Sequence, residues 1–192
     1  MSQNKTNFAV PLAFVGMMFF AIGFALGINS FLIPVLKGAL SLPSGVAYLL
    51  LAATFVPFLI FGYPASATIA KIGYKRTMAL SFLIFAVAFI LFVLSAKLEN
   101  FILFLIASFV SGAANAYLQA SVNPYITILG PIESAAKRMS IMGICNKLAW
   151  PVAPLFFALV VADQTNVQTS DLYLPFYIII GVFLLLGIIS LM

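Results

Sequence analysis

The chain has 192 residues, 65% of them hydrophobic and only 7% charged, with a mean hydropathy of +1.22. A water-soluble domain carries about 25% charged residues, so composition excludes that class and points to an α-helical membrane protein. The formal net charge of +5 would suggest nucleic acid in a soluble protein, but here the basic residues fall at segment ends, where topology accounts for them.

Six apolar segments follow one another at roughly 9–36, 45–70, 77–96, 101–128, 139–162 and 173–192. Each is continuous over about 20 residues or more, which excludes the ten-residue alternation of a membrane β-barrel. The breaks between them are short and polar, so residues 1–192 form a single domain, a six-helix transmembrane bundle embedded in a lipid bilayer. The first segment has only Lys5 before it and runs far past signal-peptide length, which makes it a retained span. It carries Gly23 and Gly27 at the spacing of close helix packing. It also carries adjacent Asn29 and Ser30, a turn before Pro34. Neighbours on a helix point about 100° apart, so the two cannot share a face fully. Asn29 serves either a polar cavity wall or the proline kink; Ser30 can bond the preceding turn's carbonyl.

The fourth segment holds Asn115, Gln119 and Asn123 at i, i+4 and i+8, with Ser108 and Ser111 extending the same stripe. Carboxamides facing lipid would leave donors and acceptors unpaired, so the stripe must face protein or water. One reading is a cavity wall offering paired donors and acceptors, which suits a hydroxyl-rich solute such as a sugar. The other is interhelical hydrogen bonding, worth about 0.6 kcal/mol per contact. For Asn123 a third role exists, serving the backbone carbonyl that Pro124 frees. In the fifth segment Asn146 and Lys147 sit about 13 Å past Arg138. Lys147 can snorkel to the interface or face a cavity; Asn146 has no such escape. The sixth apolar run reaches Met192 without a charged or aromatic anchor, so half of a larger protein, or a truncated product, is expected.

Counting Lys and Arg by side places Lys5, Lys71, Lys75, Arg76, Lys137 and Arg138 on one face, against Lys37 and Lys97 on the other with Glu99, Asp163 and Asp171. Six against two puts both termini in the cytoplasm. The lone Cys145 excludes an internal disulfide, and the absence of histidine removes the commonest metal ligand and general base. All four carboxylates, Glu133 included, lie in breaks. Neither a cofactor nor an enzymatic centre is expected, and no acid within the spans is placed to carry a proton.

The stretches LQASVNPYITILGPIESAAKRMSIMGICNK (from Leu118), FALGINSFLIPVLKGALSL (from Phe24) and PASATIAKIGYKRTM (from Pro64) closely resemble the glucose/galactose transporters of the fucose–galactose–glucose symporter family. That family lies within the major facilitator superfamily. The resemblance covers about residues 18–160. It implies the N-terminal half, built as a 3+3 repeat, of a twelve-helix fold that moves a monosaccharide across the inner membrane by alternating access. A C-terminal six-helix bundle or a second copy would then be the partner. It further implies a sugar site built from Asn29, Ser30, Asn115, Gln119, Asn123, Asn146 and Lys147. Two departures stand out. Ala70-Lys71-Ile72-Gly73 keeps the glycine of the superfamily's loop motif but lacks its acid. Ser30 and Gln119 stand where the related L-fucose–proton symporters carry acids. A non-transporting accessory module is the alternative function.

Overall fold

The computed structural model describes residues 9–161 and 167–191. Expectations placed on Lys5, Asp163 and Met192 lie outside the described residues. Helix α1 spans Ala9–Ala39, a one-turn α2 spans Ser44–Ala47, and α3 spans Leu49–Lys97. Then come α4 (Phe101–Ile128), α5 (Ala135–Val160) and α6 (Tyr173–Ile189), with single 3₁₀ turns before α5 and α6.

Among the described residues, five helices are long and apolar enough to cross a membrane, not six. The difference lies in α3, whose 49 residues would reach about 74 Å if straight, against about 30 Å of hydrocarbon. It is not straight. Gly73 has φ 80° and ψ 172°, a backbone region that side chains with a Cβ rarely enter. The contacts with α4 show the consequence. Thr54 and Pro57 meet Gly112, Phe61 meets Tyr117 at 6.1 Å between ring centroids, and Tyr74 meets Tyr125 at 5.9 Å. Past Gly73 the order inverts, and Phe92 lies 6.2 Å from Phe104 near the start of α4. The chain therefore doubles back at Gly73, and both limbs of α3 pack on α4.

The returning limb builds the densest part of the bundle. Phe82, Phe85, Phe89 and Phe92 are fully buried with Phe104 of α4, Phe157 of α5, and Phe176 and Phe183 of α6. Ring centroids come as close as 4.8 Å, between Phe85 and Phe183. In lipid this column is held by packing and edge-to-face contacts, since transfer from hydrocarbon gives no hydrophobic gain. At the opposite rim Asn100 caps α4, its Oδ1 accepting from the backbone N–H of Ile102 at 2.9 Å and Leu103 at 3.2 Å. On the same rim Thr169 donates to Glu99 at 3.0 Å, joining the turn before α4 to the turn before α6.

Candidate functional site

The polar stripe of α4 faces α1. Ser108, Ser111 and Asn115 are all buried, Asn115 at 1% exposure. Asn29 Nδ2 donates to the Ala25 carbonyl at 3.0 Å and to Ser111 Oγ at 3.4 Å. Asn115 Nδ2 donates to the Ile22 carbonyl at 3.4 Å, and Gln119 Nε2 donates to Asn115 Oδ1 at 3.4 Å. Residue numbers fall along α1 as they rise along α4, so the two helices are antiparallel. The thread is incomplete. Asn29 Oδ1 and Ser108 Oγ are buried without a hydrogen-bond partner among the described residues.

Helix α5 meets α1 from another side and runs parallel to it, with Gly16 beside Met142, Gly23 beside Asn146 and Gly27 beside Trp150. A methyl on Gly23 would overlap the carbonyl oxygen of Asn146, and one on Gly27 would overlap that of Trp150. The small residues let the two backbones touch. Asn146 Nδ2 donates to the Phe19 carbonyl at 3.1 Å. Phe19 and Ile22 lie on one turn of α1, about 4.5 Å apart along the axis. Asn115 and Gln119 from α4 and Asn146 from α5 thus gather around a single turn.

The seven expected residues separate by environment. Gln119, Asn123, Asn146 and Ser30 are half-buried and Lys147 is exposed, whereas Asn29 is fully buried and Asn115 nearly so. Asn29 and Asn115 therefore sit where interhelical hydrogen-bonding groups sit, with no path to solvent in this conformation. Ser30 turns its hydroxyl back to the Leu26 carbonyl at 3.2 Å, so the adjacent pair does not share a face. Asn123 leaves the carbonyl freed by Pro124 alone; its side chain makes no hydrogen bond among the described residues. Lys147 lies 5.4 Å from the ring centroid of Trp150, a cation–π contact one turn along its own helix.

Arg138 lies at a segment end, as the positive-inside pattern requires, and its side chain does more. It is 7% exposed, and its guanidinium donates to the carbonyls of Ile126 at 3.1 Å, Thr127 at 3.0 Å and Pro131 at 2.9 Å, and to Ser134 Oγ. The first two are last-turn carbonyls of α4 that lack partners within the helix. A signal existed: a cation in the first turn of α5 opposes that helix's dipole and needs another reason to be there.

A cavity of about 890 Å³ opens between α1, α5 and α6. Its wall includes Leu12, Phe20, Ile141, Leu148, Val182 and Leu186 and is almost wholly apolar. A sugar needs convergent polar groups to fix its orientation. The amide cluster offers such groups and this groove does not, whatever its size.

Residues 14–192 match the family model of the Major Facilitator Superfamily. The chain belongs to that superfamily. It is 31% identical over 193 residues to a "Glucose/galactose transporter" of Brucella abortus biovar 1 (strain 9-941), covering 98% of this chain and 47% of that protein. It is 26% identical over 168 residues to the "L-fucose-proton symporter" of Escherichia coli (strain K12), covering 88% of this chain and 38% of the relative. A crystal structure of the E. coli fucose:proton symporter in the outward conformation shares the fold, with a TM-score of 0.79 at 24% identity over 96% of this chain and 49% of that one. The chain thus spans about half the length of the relatives it matches. These superfamily relatives are named as transporters, not enzymes, in keeping with the branch read from the sequence.

Proposed function

We propose that this chain forms the first six-span bundle of a transporter that carries a glucose- or galactose-like hexose across the inner membrane by alternating access, either driven or facilitative. The reading is carried by one turn of α1, whose Phe19 carbonyl accepts from Asn146 and whose Ile22 carbonyl accepts from Asn115, the partner of Gln119. Two half-buried carboxamides from different helices supply donors and acceptors of the kind that pair with sugar hydroxyls. Asn123, Lys147 and Ser30 are assigned to the sugar path with them, while Asn29 and Asn115 hold α1 against α4. The names of the superfamily relatives supply the hexose. In this reading the two limbs of α3 are separate spans joined at Gly73, and both termini lie in the cytoplasm with Lys71, Lys75, Arg76 and Lys137. The second bundle comes from a further six-helix unit.

Uptake of labelled glucose and galactose by vesicles containing the twelve-helix transporter tests the site. Gln119→Ala is expected to weaken uptake while leaving membrane insertion intact. Losing one hydrogen bond of about 1 kcal/mol lowers affinity roughly fivefold. Unchanged uptake removes Gln119 from the sugar path. With Ser30 and Gln119 in place of acids, this bundle holds no carboxylate in its spans. Sugar-driven alkalinisation of the medium would therefore have to come from an acid in the other bundle. Replacing the acids of that bundle, with no change in the alkalinisation, would count against this account.

The coverage of about half of each relative favours one competing reading, an accessory bundle that does not transport. Vesicles holding only the 192-residue chain separate the two. No uptake is expected from it alone under either reading. Restoration by a second bundle added in trans is expected only under transport.

A further inference from the structure

Asn146 and Lys147 stand on α5, whereas Gln119 and Asn123 stand on α4, so the gap between these helices sets the width of the proposed site. Little else holds it. Along its length α5 packs on α1, through Gly16, Gly23 and Gly27, and meets α4 far less. Where the end of α4 leads into α5 sits Arg138. Its buried guanidinium spans from the last turn of α4, through Ile126 and Thr127, to the Pro131–Ser134 turn that leads into α5. Four bonds from one planar fork fix both the distance and the angle between the helix ends. Burying the charge without a carboxylate is costly unless every carbonyl stays in place. The arrangement therefore penalises any splaying of α4 from α5. The negative end of the α4 dipole adds to the hold.

We infer that Arg138 is a positioning residue that sets the gap between α4 and α5, and through it the geometry of the polar cluster. This rests on the sugar-site reading above only for its functional consequence; the mechanical part stands alone. The test uses the 192-residue chain in nanodiscs with Cys145→Ser, Ile106→Cys and Ile144→Cys, spin-labelled at two exposed positions on α4 and α5. Electron double resonance is expected to give one narrow distance distribution, broadened and shifted to longer distance by Arg138→Gln. Arg138→Lys keeps the inside charge and the topology but cannot span four acceptors, and is expected to broaden it as well. An α1–α5 distance, from a second chain labelled at Met17→Cys on α1 and Ile144→Cys on α5, should not move, which separates local splaying from misfolding. A distribution unchanged in either variant overturns the inference. In the twelve-helix transporter Arg138→Lys is expected to raise the KM for hexose more than it lowers kcat. A broadened distance with an unaltered KM would leave the gap-setting role intact and sink the sugar site instead.

Discussion

Helix α1 is held on two sides by different physics. Against α5 it meets backbone on backbone, with Gly23 and Gly27 leaving no room for a methyl. Against α4 it meets a row of amides and hydroxyls in which the cross-helix bonds are 3.4 Å long and two buried oxygens lack partners among the described residues. In lipid the first kind of contact is dispersion over a close-fitting surface and tolerates no added atom. The second is hydrogen bonding that water or a sugar hydroxyl could replace at small cost. The glycine seam lets α1 and α5 touch backbone to backbone, while the amide seam joins α1 to α4 by hydrogen bonds that leave polar atoms unsatisfied among the described residues.

Substitutions that cross these two seams should separate them. Gly23→Val drives three carbons into the Asn146 carbonyl, and the largest loss of stability is expected there. About 1–3 kcal/mol or more is the usual cost of overpacking, read as a fall in melting temperature in detergent. If Gly23→Val melts with the wild type, the close approach of α1 and α5 is not what holds them together. Asn115→Leu should cost less, because it removes the bond to the Ile22 carbonyl and the acceptor for Gln119, each worth about 0.6 kcal/mol. A stability loss as large as that of Gly23→Val would mean that the amide seam is structural and has no bonds to spare for a solute.

Much of this was readable beforehand because it depends on period and composition. The stripe at Asn115, Gln119 and Asn123 needed only the helical repeat, and Gly23 and Gly27 only their spacing. The partition within the stripe was not readable. Asn115 is sealed and Gln119 half-buried because α1 crosses α4 above one and beside the other, and no property of the α4 sequence fixes where that crossing falls. Ser30 and Asn29 were separable by their 100° offset, but which one faced α4 was not. The bonds of Arg138 to α4 were hidden for a related reason. Its position satisfies the positive-inside pattern whether or not its side chain folds back onto α4, so the topology argument hid the second role. The joining of the second and third segments into α3 follows from Gly73, whose turn is too short for a separate loop.

The smallest effect expected is also the most particular to the amide seam. Ser108 Oγ is buried with no partner among the described residues, and an unpaired buried hydroxyl carries a desolvation penalty of about 1–3 kcal/mol. Ser108→Ala removes that oxygen and leaves a cavity smaller than a methyl group. Stability should therefore stay level or rise by up to about 1 kcal/mol, against the general trend for buried substitutions. Asn29→Ala is the control. It removes the orphaned Oδ1 but also the donor to Ala25 and Ser111, so it should destabilise. A fall in melting temperature for Ser108→Ala would show that the hydroxyl has a partner after all, most simply a trapped water shared with Asn29. The seam would then already hold solvent.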